Sequence, residues 1–203
     1  MLDRREILLA GAGALFAPSA GLAQKAAAPE AVGSVASIKG EANARRAGQA
    51  RTLQPGEALF VNERLQTASA SRLQAALGPA TNLLMGENTH IMIDRHLVRR
   101  GGTIHLAQGG ILFARKAPDP KPAVTISSPY AMLAVRGTTV FAGPSNGVFG
   151  VFVEEGLVIV RNKGGTVTLR PGEGTDIARH GARPTPAARW GKARIDAALA
   201  SVR

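Results

Sequence analysis

The chain has 203 residues, 45% of them hydrophobic, with 24 glycines, no cysteine and a formal net charge of +11. That length and apolar content suffice for one sizeable core, and the missing cysteine excludes a disulfide framework, a thiolate metal site and a lipid anchor on an N-terminal Cys. The charge raises nucleic acid as a partner, because clustered Lys and Arg bind phosphates through counterion release, but the N-terminus points to a compartment without it.

Arg4-Arg5 precede an apolar stretch over residues 7–17, and Gly21-Leu22-Ala23 places small residues where a signal peptidase inspects the chain. Cleavage is expected after Ala23, with export to the periplasm. Asp3-Arg4-Arg5-Glu6-Ile7-Leu8-Leu9 resembles a twin-arginine signal. The apolar stretch is shorter than the ~20 residues of a spanning helix and is interrupted by Gly11, Gly13 and Pro18, so the mature chain is expected to have no membrane span. The layout read from the sequence is a signal peptide over residues 1–23, a flexible Ala/Pro leader over 24–31, a β domain over 32–178, and a basic linker with a C-terminal helix over 179–203.

From residue 32 onward the pattern is that of strands. Leu73, Ala75 and Leu77 alternate, as do Thr89, Ile91 and Ile93, and Ile104 with Leu106 before Gly109-Gly110. Val124 and Ile126 follow, then Val158 and Val160, and Val167 and Leu169 after the turn Asn162-Lys163-Gly164-Gly165. Many short strands with frequent turns predict an all-β fold, either a stacked β-solenoid or a sandwich-like domain, with one C-terminal amphipathic helix. Residues 148–153 lack a polar face and so require cover on both sides. Pro171-Gly172-Glu173 after Leu169 echoes Leu53-Gln54-Pro55-Gly56-Glu57 and reads as a repeated turn between strands.

At the end of the chain, Thr185-Pro186 reads as an N-cap with proline at the first helical position, leading into a helix over residues 187–202. Ala188, Ile195, Leu199 and Val202 would form its apolar face, with Arg189 and Arg194 turned away and Trp190 off that face. Such a helix either caps an open sheet edge or docks on a partner or membrane surface.

The most informative stretch runs Ser127-Ser128-Pro129-Tyr130-Ala131-Met132-Leu133-Ala134-Val135-Arg136-Gly137-Thr138, followed by Glu155-Gly156-Leu157-Val158. Pro129 cannot donate to a ladder and marks a strand start, while Gly137 permits a bend between two β runs. Arg136 is the one charge there; it either pairs with a carboxylate from Glu154, Glu155 or Glu173 beside the bend, or contacts a partner. These motifs resemble the signature of the FecR domain family: a Ser-Pro turn, Val-Arg-Gly-Thr, then a Glu-Gly-x-Val strand. The resemblance extends to Val35-Ala36-Ser37-Ile38-Lys39-Gly40, to the Leu53–Leu59 rung, and to Leu65-Gln66-Thr67-Ala68-Ser69-Ala70-Ser71-Arg72-Leu73, covering residues 32–178. One departure is Gly78-Pro79-Ala80-Thr81, where the family often has an Asp-Gly turn. The signature positions carried over are Pro129, Val135, Arg136, Gly137, Thr138, Glu155 and Gly156, as structural or partner-contact residues.

Catalytic chemistry finds no footing. His90, His96, His105 and His180 lack metal-ligand spacing; Asp94 and His96 would share a strand face, as solvated edge residues do. Ser127 and Ser128 lack a nucleophile elbow, and adjacent Glu154 and Glu155 point to opposite faces. A Pro-Gly-Glu turn also occurs in cupins, but their metal-binding histidines are missing here. No enzyme activity, metal or cofactor is predicted. The resemblance implies a binding or signal-relay module. Six residues precede the apolar stretch, too few for a cytoplasmic sigma-binding segment, so the relay is expected to run through another envelope or membrane protein, such as a sensor or receptor. The alternative is a protein that holds anionic cell-wall or lipopolysaccharide groups on its basic surface.

Overall fold

The computed structural model describes residues 30–94, 101–115 and 124–203. The predicted signal peptide, all of the leader up to residue 29, and His96 lie outside the described residues. The strands in chain order are β1 (Ala31–Lys39), β2 (Ala42–Arg46), β3 (Gln49–Thr52), β4 (Ala58–Phe60), β5 (Arg64–Thr67), β6 (Arg72–Leu77), β7 (Thr81–Met85) and β8 (His90–Ile93). They continue with β9 (Thr103–Gln108), β10 (Ile111–Arg115), β11 (Val124–Ser127), β12 (Met132–Ser145), β13 (Val148–Asn162), β14 (Gly165–Leu169), β15 (Glu173–Ile177) and β16 (Ala188–Arg189), and end in helix α1 (Lys192–Ala200). The chain is all-β with one C-terminal helix.

Hydrogen bonding joins these strands into one sheet that folds over at the bent hairpin β12–β13. One half, layer A, runs β3-β2-β5-β8-β9-β11, then the start of β12, the end of β13, and β14. The other, layer B, runs β4-β1-β6-β7-β10, then the end of β12, the start of β13, β15 and β16. Stacked solenoid coils would repeat parallel pairs; here β9–β11 is parallel and the other described pairs are antiparallel. The sandwich-like arrangement is therefore the one adopted.

Period-two burial builds the core between the layers. Leu65, Ile91, Ile104, Val135 and Val158 from layer A meet Leu73, Leu83, Phe113, Val140 and Val151 from layer B in one cluster. Layer B is apolar on its outer face as well, through Leu84, Leu112, Phe141 and Phe152. Residues 149–153 are consequently buried on both faces, as their composition requires.

The second cover is supplied by the end of the chain. Trp190, Ala198, Leu199 and Val202 are buried against Leu112, Phe141 and Phe152, with Ile195 packing at the margin. The helix starts at Lys192, later than the sequence suggests, because residues 185–189 are claimed by β15. Thr185 accepts the N–H of Asp176 on its Oγ1 (2.9 Å), and β16 pairs with Glu173 and Gly174. The helix cap is Gly191, without a side-chain hydrogen bond, and Ala188 is exposed in β16. Two expectations for this segment are corrected. Trp190 is a buried anchor stacked on Phe152 at 5.3 Å. Arg194 lies over the Trp190 ring at 3.6 Å and donates to Asp176 (3.0 Å) instead of turning away.

The repeated turn is real and has a structural counterpart on each side. Gly56 N–H donates to Val35 O and Gly172 N–H to Val153 O, both at 2.8 Å. Glu57 Oε2 accepts the Gln54 N–H (3.2 Å), and Glu173 Oε2 the Arg170 N–H (2.8 Å). Leu53 closes on Ala42 as Leu169 pairs with Val158. Residues 42–60 and 158–176 thus run in step as a hairpin, a Pro-Gly-Glu turn and a strand, one unit at each end of the sandwich. The glycine φ values of +87° and +82° explain why Gly stands in both turns.

Candidate protein-binding face

The family-signature residues separate into a corner and a distant turn. At the corner, Arg136 pairs with Leu157, Thr139 with Glu155 and Val140 with Val153, so β12 and then β13 each insert one extra residue. Paired bulges of this kind bend a strand sharply, and here they carry the hairpin from layer A to layer B. Gly137 (φ +57°) and Gly156 (φ +84°) occupy the bend. A Cβ on Gly156 would lie 2.5 Å from Gly137 O, so only glycine allows the two backbones to approach. Val135 and Thr138 are buried beneath, the latter with a hydroxyl that has no hydrogen-bond partner.

Pro129 lies elsewhere, exposed in the β11–β12 turn. Ser128 organises that turn, accepting the Ala131 N–H on its hydroxyl (3.1 Å) and donating to Ala131 O (3.0 Å). The strand itself begins at Met132. Beside the turn, Tyr130 stacks on Phe149 at 4.5 Å and meets His180 edge-on at 4.4 Å. The other quoted family segment is also structural: buried Thr67 accepts the Thr89 N–H (3.0 Å), and Ser71 the Glu41 N–H (2.9 Å).

Arg136 is exposed. Alternation explains this, since Val135 occupies the inward position of β12. Of the carboxylates named for it, Glu154 is held by Arg203 at 3.0 Å, Glu173 caps its own turn, and Glu155 stands at the same corner, opposite Thr139. A buried ion pair that the sequence did not disclose joins β3 to the turn after β4. Glu63, 2% exposed, accepts from Arg51 Nη2 (3.0 Å) and Nε (3.2 Å), while Arg51 also reaches Glu57 at 2.7 Å. Arg51 Nη2 donates to Ala58 O and Glu63 accepts the Phe60 N–H, so their side chains occupy edge groups of β4 that a partner strand would otherwise bind. The periodicity of short strands β3 and β4 carries no signal for this link.

The outer face of layer A has no comparable cover among the described residues. Met132, Leu157 and Ile159 are the large hydrophobic side chains that remain exposed, at 55%, 45% and 40%, and all three sit here on adjacent strands. Their cross-strand pairs are Met132 with Arg161, Ala134 with Ile159, and Leu157 with Arg136. An apolar centre is therefore flanked by arginine at both ends. His90 and His105 lie on the same face, on β8 and β9, the first opposite Gln66 and Gln108 and the second opposite Met92. No group of three or more His, Asp or Glu residues among the described ones is placed to hold a metal.

This architecture is that of an all-β, sandwich-like domain with one C-terminal helix. The family model for "FecR protein" matches residues 63–159, which contain the whole signature corner, and the chain carries a FecR domain. Two crystal structures of a "putative anti-sigma factor" from Parabacteroides distasonis ATCC 8503, at 1.65 and 2.50 Å resolution, are similar in fold, each with a TM-score of 0.56 and 14% identity. The alignment covers 67% of this chain and 64% or 63% of those chains, so this chain spans less than two thirds of their length. No curated protein matches the sequence.

Proposed function

We propose that the chain is an exported, periplasmic protein-binding module that relays a signal by contacting a membrane sensor or receptor, without chemical turnover. The observation that carries this reading is the outer face of layer A, where the exposed large hydrophobics Met132, Leu157 and Ile159 gather beside the signature hairpin. Exposed apolar side chains clustered in one place, and rimmed by polar ones, mark association surfaces. The FecR domain adds a regulatory context. No helix among the described residues is long and apolar enough to cross a membrane. The signature residues divide into two roles in this reading: Gly137, Gly156, Val135 and Thr138 shape the corner, Pro129 shapes the distant turn, and Arg136 and Glu155 face the partner.

The direct test places a photocrosslinking amino acid at Ile159 of the full chain in intact cells and identifies the captured species by mass spectrometry. A membrane protein crosslinked from Ile159 but not from Arg189, on the far side of the sandwich, is the expected result. Capture of glycan or lipid alone would overturn the relay and leave the polyanion-holding alternative. The same samples report the N-terminus: the mature protein is expected to begin at Gln24, and recovery of the intact chain in membranes would overturn export with cleavage.

A further inference from the structure

We infer that the outer face of layer A receives an acidic, apolar-bearing segment of a partner protein; this rests on the protein-binding reading above and assigns the chemistry of that contact. The strands that build layer A contain no Asp or Glu at all: β2, β3, β5, β8, β9, β11, the first part of β12, β13 from Leu157 onward, and β14. The same strands present Arg45 and Arg64, paired across β2 and β5, in addition to Arg136 and Arg161. Glu155 at the corner is the carboxylate placed with these arginines on the partner side, so four arginines leave the face strongly positive and repel basic partners.

The geometry at its centre is more specific than a positive patch. Arg161 is cross-strand from Met132 and Arg136 from Leu157, with Ile159 and Ala134 paired between them. Four residues of strand separate the two arginine-bearing pairs, about 13 Å at the usual rise. Carboxylates at i and i+4 of an extended segment, with an apolar side chain at i+2, match that spacing. Guanidinium groups pair with carboxylates through two parallel N–H donors. Five donors on each guanidinium leave capacity beyond any bond already made, such as the one from Arg161 Nε to Thr166 Oγ1 at 3.4 Å. A second copy of the chain is a poor occupant, because each copy carries +11. A simple polyanion would satisfy the arginines but not Met132, Leu157 and Ile159, whose exposure is relieved only by an apolar counterpart.

The test is fluorescence anisotropy of the full chain with a labelled, capped peptide that alternates Thr with Glu, Leu and Glu, so that each Leu lies between two Glu on one face. Comparison probes are the same peptide with Lys for Glu, polyglutamate, and phosphatidylglycerol vesicles. The Glu-Leu peptide should bind at least tenfold more tightly than either the Lys form or polyglutamate. Ile159→Asp and Arg161→Glu should each weaken it at least tenfold, whereas Arg189→Glu on β16 should not; Ile159→Thr replaces Ile159→Asp if the latter fails to fold by circular dichroism. No binding of the Glu-Leu peptide, equal binding of polyglutamate or the Lys peptide, a preference for vesicles, or indifference to both face variants overturns the inference. The crosslinked partner separates this from failure of the relay itself. A protein captured at Ile159 through a basic or neutral segment ends the acidic assignment while the relay stands; capture of a second copy, or of residues 1–29 of the same chain, ends both.

Discussion

Gly137 and Gly156 meet backbone to backbone, with the carbonyl oxygen of Gly137 only 2.5 Å from the position a Cβ on Gly156 would occupy. Both have positive φ, on opposite strands of the hairpin that joins the two layers. The Val-Arg-Gly-Thr and Glu-Gly segments are thus two halves of one bend. Gly156→Ala should cost roughly 3 kcal/mol, because the methyl meets backbone that cannot move aside. Gly137→Ala meets open space and should cost about 1–2 kcal/mol, for the left-handed conformation alone. Urea unfolding of both variants checks the order; equal costs would mean the close approach is not what demands glycine.

Trp190→Ala should destabilise the chain by about 3–5 kcal/mol, the usual cost of emptying a buried aromatic site. The indole fills a space over Gly150 and Gly174, between Phe152 and Arg194, and a smaller side chain leaves that space empty. Thermal and urea denaturation give the measurement, and a loss below about 1 kcal/mol would show that α1 contributes little to the fold.

Truncation after Pro184 should cause self-association and binding of a hydrophobic dye. It removes β16 from the edge of β15 and uncovers Leu84, Leu112, Phe141 and Phe152 together. Light scattering and dye fluorescence decide it; a monomeric truncation as stable as the parent would assign the helix to docking instead.

Arg51→Ala leaves the carboxylate of Glu63 buried without its main partner and should cost roughly 3 kcal/mol. Glu57→Ala removes a pair that is about a third exposed on both sides, and should cost below ~1 kcal/mol. A similar loss for both would place the stabilisation in the turn and not in the buried pair.

Arg136→Ala should change stability by less than about 1 kcal/mol, since an exposed arginine contributes little through any surface pair. Its effect is expected on binding, as an at least tenfold loss of affinity for the partner captured at Ile159. A large drop in melting temperature would return Arg136 to a structural role.

The strands were legible because burying one face of a sheet imposes a period of two on composition, as at Leu73, Ala75 and Leu77 and again at Ile91 and Ile93. The paired Pro-Gly-Glu turns were legible for a related reason: a positive φ in a tight turn selects glycine wherever it recurs. The bend at Gly137 was readable too, though not that Gly156 would close it from the neighbouring strand. Other features needed the tertiary structure, because they depend on residues the local pattern cannot connect. Helical periodicity extends α1 back to residue 187 and sets Trp190 off its apolar face, since nothing local reveals that β15 binds Thr185 and pairs with Ala188–Arg189 as strand β16. Glu63 becomes a buried partner for Arg51 only once β3, β4 and the turn after β4 converge. The candidate binding face is decided last of all: Phe141 and Ile159 are both outward apolar residues of the same hairpin, and only the packing of α1 over layer B buries the first and leaves the second open.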